Sequence, residues 1–232
     1  MAAEHKRWIP LESNPEILST FLHNLGFSSD YAFCDIYGTD PDLLAMVPTP
    51  VVAVILLYPI TDKTESGRQA QEQKLIDEGK SSAPGVFFMR QTIGNACGTI
   101  GLLHASGNSP HLAVPGGFLH RFLEKTLGQT SAERGKVLEE DMEIENIHGT
   151  LSQQGQSTVP DIADDTNLHF IAFVTKDGVL YELDGRKPFP IQHGPSKADT
   201  FLQDAVAVIQ SEFMCKDPDE VRFTMLALAS AQ

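Results

Sequence analysis

The chain is short of cysteine, short of basic residues and without a long apolar run, and each shortage removes a class of explanation. Its three cysteines, Cys34, Cys97 and Cys215, are too few and too scattered for a disulfide framework or a cysteine-based metal pattern. They suit a reducing compartment, so a cytoplasmic location is expected. Histidine does not supply the missing metal pattern. His5, His23, His111, His120, His148 and His193 show no ligand spacing, and neither a metal nor another cofactor is expected. Lys and Arg total 17 against 31 Asp and Glu, a net charge of −14. Such a chain offers no basic patch to neutralise phosphates, which argues against nucleic acid. The longest apolar stretch, Val51 to Tyr58, is too short to span a bilayer, and no apolar leader segment follows Met1, so no membrane partner is expected. No internal repeat or long low-complexity tract is present.

What remains suits one domain over residues 1–232, with 41% hydrophobic residues to build a core. Asn14 reads as an N-cap and Pro15 as the first residue of a helix that runs to Gly26. Tyr31 to Ile36 reads as a strand and Asp40 to Met46 as a short helix. Val51 to Tyr58 is the strongest strand, closed by Pro59. A charged helix is expected over Thr61 to Gly79, and a short strand over Val86 to Phe88. Helices follow at Cys97 to Gly107, Gly117 to Leu127 and Ser131 to Asp141. The polar stretch from Gly149 to Thr166 reads as a loop of roughly 18 residues, long enough to point to function or mobility. Leu168 to Thr175 and Val179 to Asp184 form a hairpin around Lys176-Asp177-Gly178. Arg186 to Pro195 reads as a proline-rich surface connection. Lys197 to Phe213 is an amphipathic helix and Val221 to Ala229 a last strand. Helices dominate early and strands late, which indicates α+β or mixed α/β layering.

Chemistry concentrates around Cys97. It follows a Gly-Asn-Ala turn and opens an apolar run, which puts a thiol at a buried helix N-terminus. The positive end of the helix dipole favours the thiolate there. The Gln91 amide lies upstream and can fold back, so that with the Cys97 backbone N–H it cradles an oxyanion. His169 and Asp184 fall on the two strands of one hairpin, roughly opposite each other, within reach for Asp184 to orient the imidazole. Together they supply a nucleophile, a base, an orienter and an oxyanion donor. Each residue alone also has a plainer reading: a small core cysteine, a half-buried strand histidine, a turn aspartate. His104 sits two helical turns beyond Cys97, roughly 10 Å away, too far to be the base. Cys34 and Cys215 read as structural.

The stretches Trp8-Ile9-Pro10-Leu11-Glu12-Ser13-Asn14-Pro15-Glu16, Gln91-Thr92-Ile93-Gly94-Asn95-Ala96-Cys97-Gly98-Thr99, Asn167-Leu168-His169-Phe170-Ile171-Ala172-Phe173 and Leu180-Tyr181-Glu182-Leu183-Asp184-Gly185-Arg186, with Arg222-Phe223, carry a resemblance. They resemble a short, single-domain ubiquitin C-terminal hydrolase, a papain-like cysteine protease. The Gln91 to Thr99 string is the most specific part. The resemblance implies a central, mostly antiparallel sheet flanked by helices, and a knotted backbone. It implies Cys97 as nucleophile, His169 as general base and then acid, Asp184 as its orienter and Gln91 as oxyanion donor. The 149–166 segment becomes a crossover loop over the active site; plain disorder without gating is the other reading. The C-terminal extension of larger members is expected to be absent.

The implied partner is ubiquitin, carrying a small or unstructured adduct on its C-terminal glycine. Leu11, Glu12, Asn14 and Pro15 are implied to lie near bound ubiquitin. Glu12, Asp161, Asp164 and Asp165 are the acidic candidates for guiding its basic tail. Two other functions stay open: a hydrolase directed at the neddylation modifier, and a ubiquitin-binding module that buffers ubiquitin with little turnover. A monomer is expected.

Overall fold

A computed structural model describes residues 6–79, 83–156 and 166–231. Eight helices of four or more residues and six strands are present among them. They are α1 (Pro15–Asn24), β1 (Tyr31–Asp35), α2 (Pro41–Leu44), β2 (Val51–Pro59), α3 (Asp62–Asp77), α4 (Cys97–Gly107), α5 (Phe118–Lys125), α6 (Ser131–Glu139), α7 (Met142–Leu151), β3 (Leu168–Lys176), β4 (Val179–Leu183), β5 (Ile191–Pro195), α8 (Phe201–Glu212) and β6 (Thr224–Ser230). The strands form one sheet in the order β1-β6-β2-β3-β4-β5, and every neighbouring pair is antiparallel. This is the α+β architecture expected.

Strand β2 is apolar almost throughout because it is buried on both faces. Ala53, Ile55 and Leu57 join the core that contains α1, α4, α5 and α7, while Val54, Leu56 and Tyr58 join the core under α8 and α2. The alternation of side chains along a strand divides them in this way. Helix α4 belongs wholly to the first core: all eleven of its residues are buried, so it lacks the polar stripe of a surface helix. Helix α1 starts as expected, with the Asn14 carboxamide oxygen accepting from the backbone N–H of Glu16 at 2.9 Å and of Ile17 at 3.3 Å.

Four local expectations are corrected. Val86 to Phe88 is buried but pairs with no strand among the described residues. Side chains of α4 and its cap replace the ladder: Asn108 accepts from the Phe87 N–H at 2.8 Å and donates to its carbonyl at 2.9 Å, and His104 accepts from the Met89 N–H at 3.2 Å. Helix α7 was not expected. Asp141 caps it, and Gly149 to Leu151, read as loop, are its last residues. Ile191 to Pro195, read as a connection, is edge strand β5, where proline is tolerated because one side of the strand has no partner strand among the described residues. Strand β6 starts at Thr224, not Val221, which is 84% exposed. Of the loop expected over 149–166, residues 157–165 lie outside the described residues.

Candidate active site

Cys97 is the first residue of α4. The turn before it needs Asn95 in the left-handed region, φ 60°, which asparagine tolerates better than most residues. Ala96 occupies the N-cap position and has no side-chain oxygen to offer, so the first N–H groups of α4 are left for other acceptors. Backbone N–H groups of Gly98 and of Phe170 in β3, with the His169 side chain, favour the charged form of the Cys97 sulfur. The N-terminal segment holds this turn from the other side. Gly94 donates to the Lys6 carbonyl and accepts from the Trp8 N–H, both at 2.9 Å. Leu11 packs so closely on Gly98 that a β-carbon there would come within 3.1 Å of it.

His169 is the second residue of β3 and is 3% exposed. Its Nε2 meets Asp184 Oδ1 at 2.7 Å, which leaves Nδ1 for Cys97. The register is not the direct opposition expected. Ala172 pairs with Leu183, so the bond runs diagonally along one face of the hairpin. Asp184 follows the last residue of β4 and is fully buried. Its Oδ1 also accepts from the Arg186 backbone N–H at 2.8 Å. The Tyr58 ring stands edge-on to the imidazole, centroids 5.8 Å apart, and closes the site on the α8 side.

Burial opposes charge on all three groups, and their mutual contacts overcome it. For His169, burial pulls the pKa down, but the Asp184 carboxylate and the Cys97 sulfur raise it to about 9. For Cys97, burial pushes the thiol up, while the His169 hydrogen bond and charge bring it below its ordinary value. For Asp184, burial again raises the pKa, but His169 and then Lys187 hold it well below the usual carboxylate range. The direction is that of a thiolate–imidazolium pair backed by a carboxylate.

Gln91 precedes this turn and is half-buried. Its Nε2 donates to the Ile93 carbonyl at 3.1 Å, and an amide has two such hydrogens, so one is left over. Its Oε1 is buried and meets no donor among the described residues. His104 sits deeper, fully buried, and burial lowers its pKa to about 4. It links α4 to the Met89 backbone and the Leu183 carbonyl and lies away from the thiol chemistry.

The other candidate residues are distributed differently. Leu11 is 5% exposed, so it braces Gly98 instead of presenting a surface. Asn14 spends its side-chain oxygen on the α1 cap, and Pro15 opens that helix. The Glu12 carboxylate lies against Gly155, leaving no room there for a β-carbon. Asp161, Asp164 and Asp165 lie outside the described residues. Sequence reasoning missed Tyr58, whose only sign was its place at the end of an apolar strand. It also missed His148, whose Nε2 donates to the Ile9 carbonyl at 2.7 Å, whose Nδ1 accepts from the Thr99 hydroxyl at 2.7 Å, and whose ring packs on Trp8.

A buried thiol at a helix end, with an imidazole on the neighbouring hairpin that is hydrogen-bonded to a carboxylate, is the side-chain set of a cysteine-type hydrolase. The family model for "Ubiquitin carboxyl-terminal hydrolase, family 1" matches residues 8–214, and the chain belongs to that family of cysteine peptidases. It is 48% identical over 225 residues to a probable ubiquitin carboxyl-terminal hydrolase of Dictyostelium discoideum, covering 96% of this chain and 88% of that one. A ubiquitin carboxyl-terminal hydrolase of Drosophila melanogaster is 44% identical, with coverage of 97% and 98%. The fold is similar to the crystal structure of the Trichinella spiralis UCH37 catalytic domain bound to ubiquitin vinyl methyl ester, with a TM-score of 0.75, 22% identity and 99% of each chain covered. Among the described residues, no helix is long and apolar enough to cross a membrane.

Proposed function

We propose that the chain is a deubiquitinating thiol hydrolase that removes small or unstructured adducts from the C-terminal glycine of ubiquitin. The observation that carries this reading is the His169 imidazole held between Asp184 and Cys97 in a chain of this family. The Cys97 thiolate attacks the glycine carbonyl. The remaining Gln91 amide hydrogen and the Cys97 N–H stabilise the oxyanion, each worth roughly 3 kcal/mol by comparison with other acyl-transfer sites. His169 protonates the departing amine, and water then releases ubiquitin from the thioester. Asp184 keeps the imidazole oriented and charged.

The reading includes one catalytic domain, a knotted chain path, and a monomeric cytoplasmic enzyme. It also takes the chain from the end of α7 to β3 as a crossover loop that limits the girth of the adduct. Glu12, beside the start of that chain, remains a candidate for guiding ubiquitin's basic tail. The test compares two ubiquitin derivatives, one with a short peptide and one with a folded domain on the terminal glycine. Cleavage of the peptide and slow or absent cleavage of the folded domain is expected. Equal rates on both contradict the loop's restriction, and no cleavage of either contradicts the activity.

A further inference from the structure

Helix α3 is seated with little apolar contact. Of its sixteen residues only Thr64 and Leu75 are buried, and Leu75 packs on Phe189 and Ile191. Charges on one face add to that anchor. Glu65 Oε1 accepts from Arg68 Nη2 at 2.6 Å and Nε at 3.1 Å, and Arg68 Nη1 donates to Glu72 Oε2 at 3.0 Å. Glu65 Oε2 accepts from Arg186 Nη2 at 2.7 Å. Nearly two turns beyond Glu65, Gln71 Oε1 accepts from Lys187 Nζ at 2.8 Å.

The two residues gripped are those that hold Asp184. The Arg186 backbone N–H bonds the Asp184 carboxylate at 2.8 Å, and the Lys187 N–H bonds its carbonyl at 2.9 Å. Lys187 also pairs with the buried Glu182, whose second oxygen bonds His193 at 2.8 Å. An isolated surface ion pair does little. Here the Glu65, Arg68 and Arg186 side chains are 26%, 17% and 29% exposed, and they act as a network. Arg68, and after it Arg186, hold the Glu65 carboxyl at about 2 against its partial burial, so the network is charged at any working pH.

We propose that Glu65 is a positioning residue: through Arg186 it fixes the Asp184 carboxylate against His169, and α3 is the brace on which that orientation depends. The proposal rests on the reading of Cys97, His169 and Asp184 as the reacting set. It gives this polar helix a part in catalysis without contact with substrate.

The test uses Glu65→Ala, Arg186→Ala and the double variant, with Glu65→Gln serving where Glu65→Ala does not fold. Two readouts are taken. The first is turnover of a small ubiquitin adduct. Loss of Glu65 is expected to lower kcat roughly tenfold to a hundredfold with KM unchanged, the scale of a small displacement at a reacting centre. The double variant is expected to fall no further than the worse single one, because both break the same chain of contacts. The second readout is the pH dependence of Cys97 alkylation by iodoacetamide, followed on the Cys97 peptide because Cys34 and Cys215 are also thiols. A loosened Asp184 supports the imidazolium less, and the imidazolium then supports the thiolate less. The acid limb of alkylation therefore moves to higher pH, by roughly half a unit to one unit. Wild-type kcat and alkylation with only a lowered Tm overturns the proposal, as do single effects that multiply in the double variant. Alkylation needs no ubiquitin, so it decides the matter even if the substrate assignment fails.

Discussion

The backbone N–H of Gln91 donates to the carbonyl of Gly185 at 2.9 Å, which joins the segment leading to Cys97 to the turn that follows Asp184. The two stretches lie far apart in sequence, and this bond makes them one unit. The contact is tight. A β-carbon at Gly185 would come 2.8 Å from Ile100 Cγ2 and 3.0 Å from Gln91 Cβ, so only glycine fits without displacement.

Gly185→Ala is therefore expected to disturb both sides of the site. Overpacking of this kind costs about 1–3 kcal/mol of stability. The variant is expected to lose kcat beyond what its lowered stability explains, because Gln91 is pushed from its place. Denaturant unfolding and steady-state kinetics below the transition measure the two effects separately. Full kcat in a destabilised variant would show that Gln91 tolerates the shift.

Asp184→Asn keeps the shape and removes the charge. The pKa of His169, about 9 with Asp184 present, is expected to fall toward 6.5, so the basic limb of the pH–rate profile moves to lower pH. Turnover is expected to drop by roughly 10²- to 10⁴-fold without vanishing, since the nucleophile and oxyanion donors remain. A wild-type profile across the whole pH range would mean that another residue orients His169.

His104 and His148 are buried and held neutral at about 4, chiefly by burial. The unfolded chain takes up their protons near 6.5, before the folded chain does, so each contributes stability that is complete above 6.5 and lost as pH falls toward 4. A shift of that size is worth about 3 kcal/mol per histidine. His148→Gln is expected to flatten the loss of stability between pH 7 and 4.5 by about that amount, measured by urea unfolding at both values. An unchanged pH slope would show that His148 is protonated in the folded protein.

Much of this site was legible because its parts are local signals. Asn14-Pro15 marks a helix start by side-chain capping, Val51 to Tyr58 marks a doubly buried strand, and the Gly94-Asn95 turn before Cys97 marks a helix entrance. The partnership of His169 with Asp184 was legible from the hairpin turn, although the register was not, since turn chemistry fixes register only when the strands are regular. What was hidden depends on tertiary contact. Val86 to Phe88 has strand composition, yet Asn108 and His104 take up its backbone groups. In α7, Gly149 and the polar residues after it masked the spacing of Ile144, His148 and Leu151, which are its buried face. The prolines around β5 are breakers in a central strand but not on an edge. The link from α3 to Asp184 runs between charged residues that look solvated in sequence, and only the fold brings them to Arg186 and Lys187.

The central claim is that Cys97 attacks the carbonyl of ubiquitin's C-terminal glycine. The direct measurement mixes the purified protein with ubiquitin bearing an electrophilic C-terminal warhead, beside the same warhead on the neddylation modifier and a Cys97→Ala control. Rapid labelling by the ubiquitin probe, mapped to Cys97 and lost in a variant that still binds ubiquitin, is the predicted result. Labelling by the neddylation modifier alone, binding without labelling, or labelling that persists in Cys97→Ala would contradict it.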